Sequence, residues 1–250
     1  MPAPDLPRYR LHLDASLTEA RPVPLAREQV NYLLNVLRLK DGDEVLAFNG
    51  RDGEWVAALV AAGRKQADLK PLRQVRPQTP QPDLHYLFAP LKYARLDYMA
   101  QKAVEMGAGL LQPVLTRHTQ VSRLNLDRLK ANAIEAAEQC GILALPEIRP
   151  ELSLEAALSA LEPERLLVFC DEETEHDSPV ATLAAAKPGP LALLIGPEGG
   201  FDEAERKRVL GRPNTLRISL GPRILRADTA AVAALALLQA TLGDWPQGKN

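Results

Sequence analysis

Cysteine is almost missing from this chain. Cys140 and Cys170 are the only two in 250 residues, too few for a disulfide framework and without the paired spacing of a metal site. Histidine is scarce as well, and His12, His85, His118 and His176 are scattered, so no bound metal is expected. No apolar run approaches the ~18 residues that a membrane-spanning helix needs. The start, Met1-Pro2-Ala3-Pro4-Asp5, has no basic segment followed by an apolar one, and so no apparent secretory signal. These gaps point to the cytoplasm and away from a membrane. Excess charge is missing too: a formal net charge of −2 does not advertise a nucleic-acid binder.

What is present is enough chain for one large or two small domains with proper cores. Hydrophobic residues make up 46% and charged residues 25%, as in an ordinary globular protein. The charge is unevenly spread. Residues 1–80 carry 12 Lys and Arg against 10 Asp and Glu, residues 151–205 carry 2 against 13, and residues 206–250 carry 8 against 2. An RNA partner would have to meet the N-terminal part and the last segment and avoid the acidic stretch.

Residues 8–76 read as many short strands with one helix, the pattern of a small β-barrel. Arg8 to Leu13 suggests a strand, and Gln29 to Leu37 has Val30, Leu33, Leu34 and Leu37 at helical spacing. Asn49-Gly50-Arg51-Asp52-Gly53 is a hairpin signal between two apolar strands, and Gln66 to Val75 is a last strand. Residues 77–82, with three prolines, form a stiff linker. The domains expected are therefore 1–76, a linker at 77–82, and 83–250. In the last, strands at Leu84–Ala89, Leu110–Leu115, Leu166–Cys170 and Leu191–Ile195 alternate with helices, one of them over Leu126–Cys140, which implies a parallel sheet. Composition makes Asp171-Glu172-Glu173 a solvated acidic loop.

Two strand-like stretches in this half stop at a Gly-Pro: the apolar run Leu191 to Ile195 before Gly196-Pro197, and Leu216 to Leu220, which alternates like a strand with one open face, before Gly221-Pro222. Glycine permits φ > 0 and a close approach by a ligand, and open α/β sheets bind ligands where strands end. A phosphate loop would want Lys, Ser or Thr beside the glycines. Here Glu198, Asp202, Glu203 and Glu205 follow instead, and Asp202 with Glu205 mimics a capping box. Such a loop suits a neutral or cationic ligand, and S-adenosylmethionine, a sulfonium without phosphate, is a candidate on charge grounds.

The blocks Ile195-Gly196-Pro197-Glu198-Gly199-Gly200-Phe201 and Leu220-Gly221-Pro222-Arg223-Ile224-Leu225-Arg226-Ala227-Asp228-Thr229-Ala230 resemble the signature of the RsmE-type methyltransferases. These belong to the SPOUT class and methylate N3 of a uridine in 16S ribosomal RNA. The resemblance covers nearly the whole chain. Val36-Leu37-Arg38 with Gly42-Asp43 is similar to the family's PUA-like RNA-binding domain, and Glu138-Gln139 echoes a family motif that would face the active cleft or a dimer partner. His118 stands where the family pattern has serine.

The resemblance implies a PUA-like β-barrel followed by a SPOUT domain with a C-terminal trefoil knot, and a homodimer built through that domain. Adenosylmethionine would lie among Leu194, Ile195, Gly196, Pro197 and Gly200 of the first loop and Leu220, Gly221, Ile224 and Leu225 of the second, with Cys170 over it. Arg226 would stabilise charge on the uracil. Asp228 or Glu198 would take the N3 proton, or Asp228 would serve only as the N-cap of the last helix. Arg8, Arg10, Arg38, Arg51, Arg117 and Arg223 would contact the RNA of the small ribosomal subunit, helped by Arg21, Arg64 and Lys65. The alternatives are a 2′-O-ribose methyltransferase of the same class and a non-catalytic RNA-binding module.

Overall fold

The structure, a computed structural model, describes residues 6–63, 66–92, 94–121, 123–174 and 178–245. Arg64, Lys65 and His176 lie outside the described residues. The chain divides into two compact units. The first takes the described residues up to Pro80 together with Ala137–Leu145, and the second takes Gln81–Ala136 and the chain from Pro146 onward.

The first unit is a five-stranded sheet in the order β1 (Arg10–His12), β3 (Glu44–Phe48), β4 (Glu54–Ala61), β5 (Ala67–Arg76), β2 (Val23–Pro24). Only β1 and β3 run parallel. Period-two alternation sends Val45 and Ala47 of β3 into a core with Leu11, Val30, Leu33, Ala57, Leu59 and Leu69. Phe48 emerges on the opposite face and packs with Ala137 and Leu143. Both faces of β3 are thus covered, which is why it reads as an apolar run. The single helix expected over Gln29–Leu37 is two pieces: α1 (Arg27–Asn31) and a π-helical turn, Tyr32–Val36. The Leu37 N–H reaches back to the Tyr32 carbonyl at 2.9 Å.

Arg10 is not placed for RNA. Its side chain is only 10% exposed and its Nε donates to Glu54 Oε1 at 2.7 Å. The remaining nitrogens donate to the carbonyls of Ala137, Glu138 and Ile142, and the guanidinium lies over the Phe48 ring. Glu54, with a side chain 3% exposed, also accepts from Arg76 Nε at 2.7 Å, and Arg76 in turn donates to the Gly141 carbonyl. The two guanidiniums thereby satisfy orphan carbonyls at the C-terminal end of a helix, where cations are favoured. Glu138 is likewise structural, its carboxylate accepting from the His12 N–H at 2.8 Å.

The second unit is a seven-stranded sheet in which every pairing is parallel. Its order is β12 (Thr215–Ile218), β10 (Leu166–Cys170), β11 (Leu191–Ile195), β6 (Leu84–Phe88), β7 (Leu110–Leu115), β8 (Glu147–Ile148), with β9 (Leu152–Ser153) also on β7. Central parallel strands are covered on both faces and lose the polar alternation; all five residues of β11 are buried. One face packs Leu87, Leu167, Phe169, Ala192 and Leu194 against α4 (Leu154–Ser159) and Val209 of α6 (Glu203–Leu210). On β11, α7 (Ala227–Thr241) packs alongside α2 (Ala94–Glu105) and α5 (Pro179–Ala184). α3 (Leu126–Cys140) turns Leu129, Ala133, Ala136 and Ala137 inward.

Candidate active site

Strands β10, β11 and β12 are parallel neighbours, so their carboxyl ends, Cys170, Ile195 and Ile218, open onto one edge of the sheet. The loops that follow enclose a hollow of about 280 Å³, at the kind of position where open α/β sheets hold ligands. The two Gly-Pro loops converge there: Ile195, Gly196, Pro197, Glu198 and Gly200 line one side, and Leu220, Gly221, Arg223, Ile224 and Leu225 line another.

The glycines serve different ends. Gly221 has φ +98° and nothing within 4 Å of where a Cβ would be, so the backbone alone requires it. Gly196, expected to need the same freedom, is not among the residues with positive φ. Its Cβ would sit 2.5 Å from Cε2 of Phe201; the ring needs that space, and it packs edge-on against Phe169 at 5.3 Å between centroids. In the first loop the left-handed residue is Gly200, at φ +69°. Leu194 is fully buried in the core and does not line the hollow, because alternate residues of a strand face opposite sides.

After Phe201 the chain enters α6 through the expected capping box. Asp202 Oδ1 accepts from the Glu205 N–H at 2.7 Å, and Glu205 Oε2 accepts from the Asp202 N–H at 3.1 Å. Asp202→Ala should lower stability by about 1 kcal/mol, readable as a shifted urea midpoint at constant slope.

The third wall departs from a solvated acidic loop at one residue, since Glu172 and Glu173 are exposed but Asp171 is not. Asp171 is buried, its side chain 3% exposed, and it holds Arg206 of α6 at 2.9 Å and Arg217 of β12 at 3.0 Å. This pairing fastens β10, β12 and α6 around the hollow. Beside it, Glu172 and Glu173 also line the cavity. Cys170 lines it as well, and burial pushes its thiol up to about 12. It therefore stays protonated near neutral pH and does not act as a thiolate nucleophile.

Arg226 and Glu198 lie close together, with Arg226 Nη2 3.8 Å from Glu198 Oε1. The same carboxylate oxygen also accepts from Arg95 at the start of α2, a residue that sequence patterns do not single out. Asp228 is not the N-cap. Arg226 holds that position, and Asp228 lies in the first turn of α7, accepting from the Thr229 N–H at 2.9 Å. A carboxylate there interacts favourably with the helix dipole, but Asp228 is not among the residues lining the hollow.

His118, which stands where the family pattern has serine, packs on the first loop. A Cβ on Gly199 would meet its own Cβ at 3.2 Å, and its Nδ1–H donates to the Gly200 carbonyl at 3.1 Å. Next to it, the Arg117 N–H donates to Glu205 Oε1 at 2.7 Å, leaving the Arg117 side chain exposed. Arg223 is exposed at the rim of the hollow, and Arg8, Arg38 and Arg51 are exposed on the first unit.

A sequence model described as an RNA methyltransferase domain matches residues 77–239, and one described as an RNA methyltransferase PUA domain matches residues 25–72. The ribosomal RNA small subunit methyltransferase E of Rickettsia conorii is 31% identical over 91% of this chain and 93% of its own length. The protein of that name from Synechocystis is 32% identical over 94% of this chain and 78% of its own. Among solved structures, a ribosomal RNA small subunit methyltransferase E from Neisseria gonorrhoeae bound to S-adenosyl methionine superposes with a TM-score of 0.79 at 27% identity, covering 95% of this chain and 99% of that one. With the methyltransferase-domain match spanning well over half of the sequence and such relatives aligned along both units, the chain belongs to the ribosomal RNA small subunit methyltransferase E family.

Proposed function

We propose that this protein transfers a methyl group from S-adenosylmethionine to N3 of a uridine in the 16S ribosomal RNA of the small subunit, in the cytoplasm. The observation that carries the reading is the convergence of both Gly-Pro loops on one hollow. The lining fits the cofactor. Leu220, Ile224 and Leu225 offer apolar contact for an adenine, and the loop backbones offer hydrogen bonds. Glu172 offers a carboxylate to a sulfonium or ammonium, whereas Glu173 pairs with Arg206 and Glu198 with Arg95 and Arg226.

When bound, adenosylmethionine supplies an electrophilic methyl on a sulfonium. The protein's work is then alignment and charge stabilisation. Methylation at N3 displaces the proton that uracil carries there. As it leaves, negative charge develops on O2 and O4, where the Arg226 guanidinium is the stabilising cation. Glu198, shared between Arg226 and Arg95, fixes that guanidinium at the mouth of the hollow. Glu198, which lines the hollow, takes the proton directly, or Asp228, which does not line it, takes the proton through water. The target uridine must be unpaired, since pairing engages N3. Exposed Arg8, Arg38, Arg51, Arg117 and Arg223 supply phosphate contacts.

We also take the protein to be a homodimer with a trefoil knot in its second unit. The outer side of α7 offers Val232, Ala233, Ala236 and Leu237, each half-buried, an apolar face suited to a second copy. After β11, β12 is laid outside β10, and α7 then returns to pack on β11. That return supports a threaded chain.

The test is nucleoside mass spectrometry of small subunits taken from cells lacking the modification, after incubation with protein and adenosylmethionine. The expected product is 3-methyluridine; a 2′-O-methyl nucleoside, or none, overturns the reading. Gly196→Ala should displace Phe201 at a cost of about 1–3 kcal/mol. Adenosylmethionine affinity should fall by about tenfold to a hundredfold in calorimetry.

A further inference from the structure

A second hollow, of about 420 Å³, lies in the second unit between the start of α2, the loop before α3, and the first turn of α3. It falls within the size of small-ligand sites, ~300–1,000 Å³. Its floor is apolar, built from Leu91, Leu96, Leu124 and Leu129, with Leu91 and Leu129 buried. Its rim is cationic: among the described residues, the titratable groups lining it are Lys92, Arg123, Arg128 and a single carboxylate, Asp97.

That carboxylate is already engaged. Asp97 accepts from Arg128 Nε at 2.9 Å and from Asn132 Nδ2 at 2.8 Å. Lys92 and Arg123 are exposed and form no ion pair among the described residues. The N-termini of α2 and α3 both border the hollow, and their positive ends add to the field on an anion there. An apolar floor under two unpaired cations is complementary to a nucleotide, with base and sugar on the leucines and phosphate at the rim.

The hollow is also beside the proposed chemistry. The first turn of α2 that supplies Leu96 also carries Arg95, and Arg95 holds Glu198 on the wall of the first hollow. We infer that this second hollow receives a nucleotide of the substrate RNA next to the target uridine, its phosphate held by Lys92 and Arg123. The inference rests on the RNA-methyltransferase reading above. It explains what keeps an unpaired target strand in place: a neighbouring base leaves its stack for an apolar seat while the target enters the first hollow.

The test measures binding of fluorescein-labelled heptauridylate by anisotropy across a salt series. The double variant Lys92→Gln with Arg123→Gln should bind about tenfold more weakly. Its log–log salt slope should be shallower by about 0.7, because one phosphate of a single strand goes without its neutralising cations. Val121→Trp, which fills the hollow without changing charge, should weaken binding and leave the slope alone. Heptamers carrying 4-thiouridine should crosslink to residues 120–129 or 91–97. Calorimetric affinity for adenosylmethionine, held within twofold, shows that each variant is folded. Overturning results are wild-type affinity and slope in the double variant, crosslinks confined to other segments, or no heptamer binding by the wild type. If the wild type forms no 3-methyluridine, the functional reading fails on its own count. If it does and the variants bind RNA as the wild type does, only this inference fails.

Discussion

Arg226→Ala should reduce methyl transfer at saturating adenosylmethionine by about 10²–10³-fold, the usual cost of removing one donor aimed at developing charge. Adenosylmethionine affinity should stay within about tenfold, or ~1.4 kcal/mol. The reason for the split lies in the geometry. The Arg226 side chain is 56% exposed and reaches Glu198 at the mouth of the hollow, whereas the floor is made by the strand ends and the two loops. Losing an exposed guanidinium leaves no buried charge behind, so the fold survives. Single-turnover rates on small subunits, alongside calorimetry, separate the two quantities. Undiminished transfer in this variant would remove Arg226 from the chemistry. Arg226→Lys keeps a cation but loses the planar fork, and should recover only part of the rate.

Glu54→Ala should show the largest loss of stability, about 3–5 kcal/mol, because it strips a buried carboxylate from between two arginines. Arg10, 10% exposed, would be left with an uncompensated charge. Urea unfolding of the first unit's signal should show the lower midpoint. A loss below ~1 kcal/mol would mean that Arg10 is held well enough by the carbonyls of Ala137, Glu138 and Ile142. Arg10→Ala in the Glu54→Ala background should then recover stability, since the orphaned cation goes with it.

The same cluster marks the limit of what a sequence reveals. Arg10 sits among basic residues in an N-terminal stretch, and a pattern of charges along a chain gives no sign that Glu54 and three carbonyls will consume its donors. Strands β7, β10 and β11 and helix α3 are legible to the residue. They are apolar runs or clean helical periodicities, and burial on both faces leaves such runs intact. The two-residue strands β2, β8 and β9 have no comparable signal, because they exist through pairing with longer neighbours. At the site, the two Gly-Pro loops announce themselves. Arg95 and His118 do not, because each reaches the first loop from an element distant in sequence; Arg206 follows that loop closely, but its partner Asp171 lies just past β10, 35 positions earlier. Gly196 stands out in the sequence, yet its reason is hidden there: a ring five positions later, not its own φ, excludes a side chain.

The parallel sheet has one consequence for how the polypeptide is made. Leu84 of β6 registers with Leu191 of β11, and β10 finds its outer neighbour only at Thr215 and beyond. While the nascent chain emerges, β6 can join β7, but its other flank waits until most of the second unit has left the ribosome tunnel. Non-local pairings of this kind form late and leave sticky intermediates meanwhile. Translation stalled after β7 should therefore yield a chain that binds holdase chaperones, and release through β11 should end that binding.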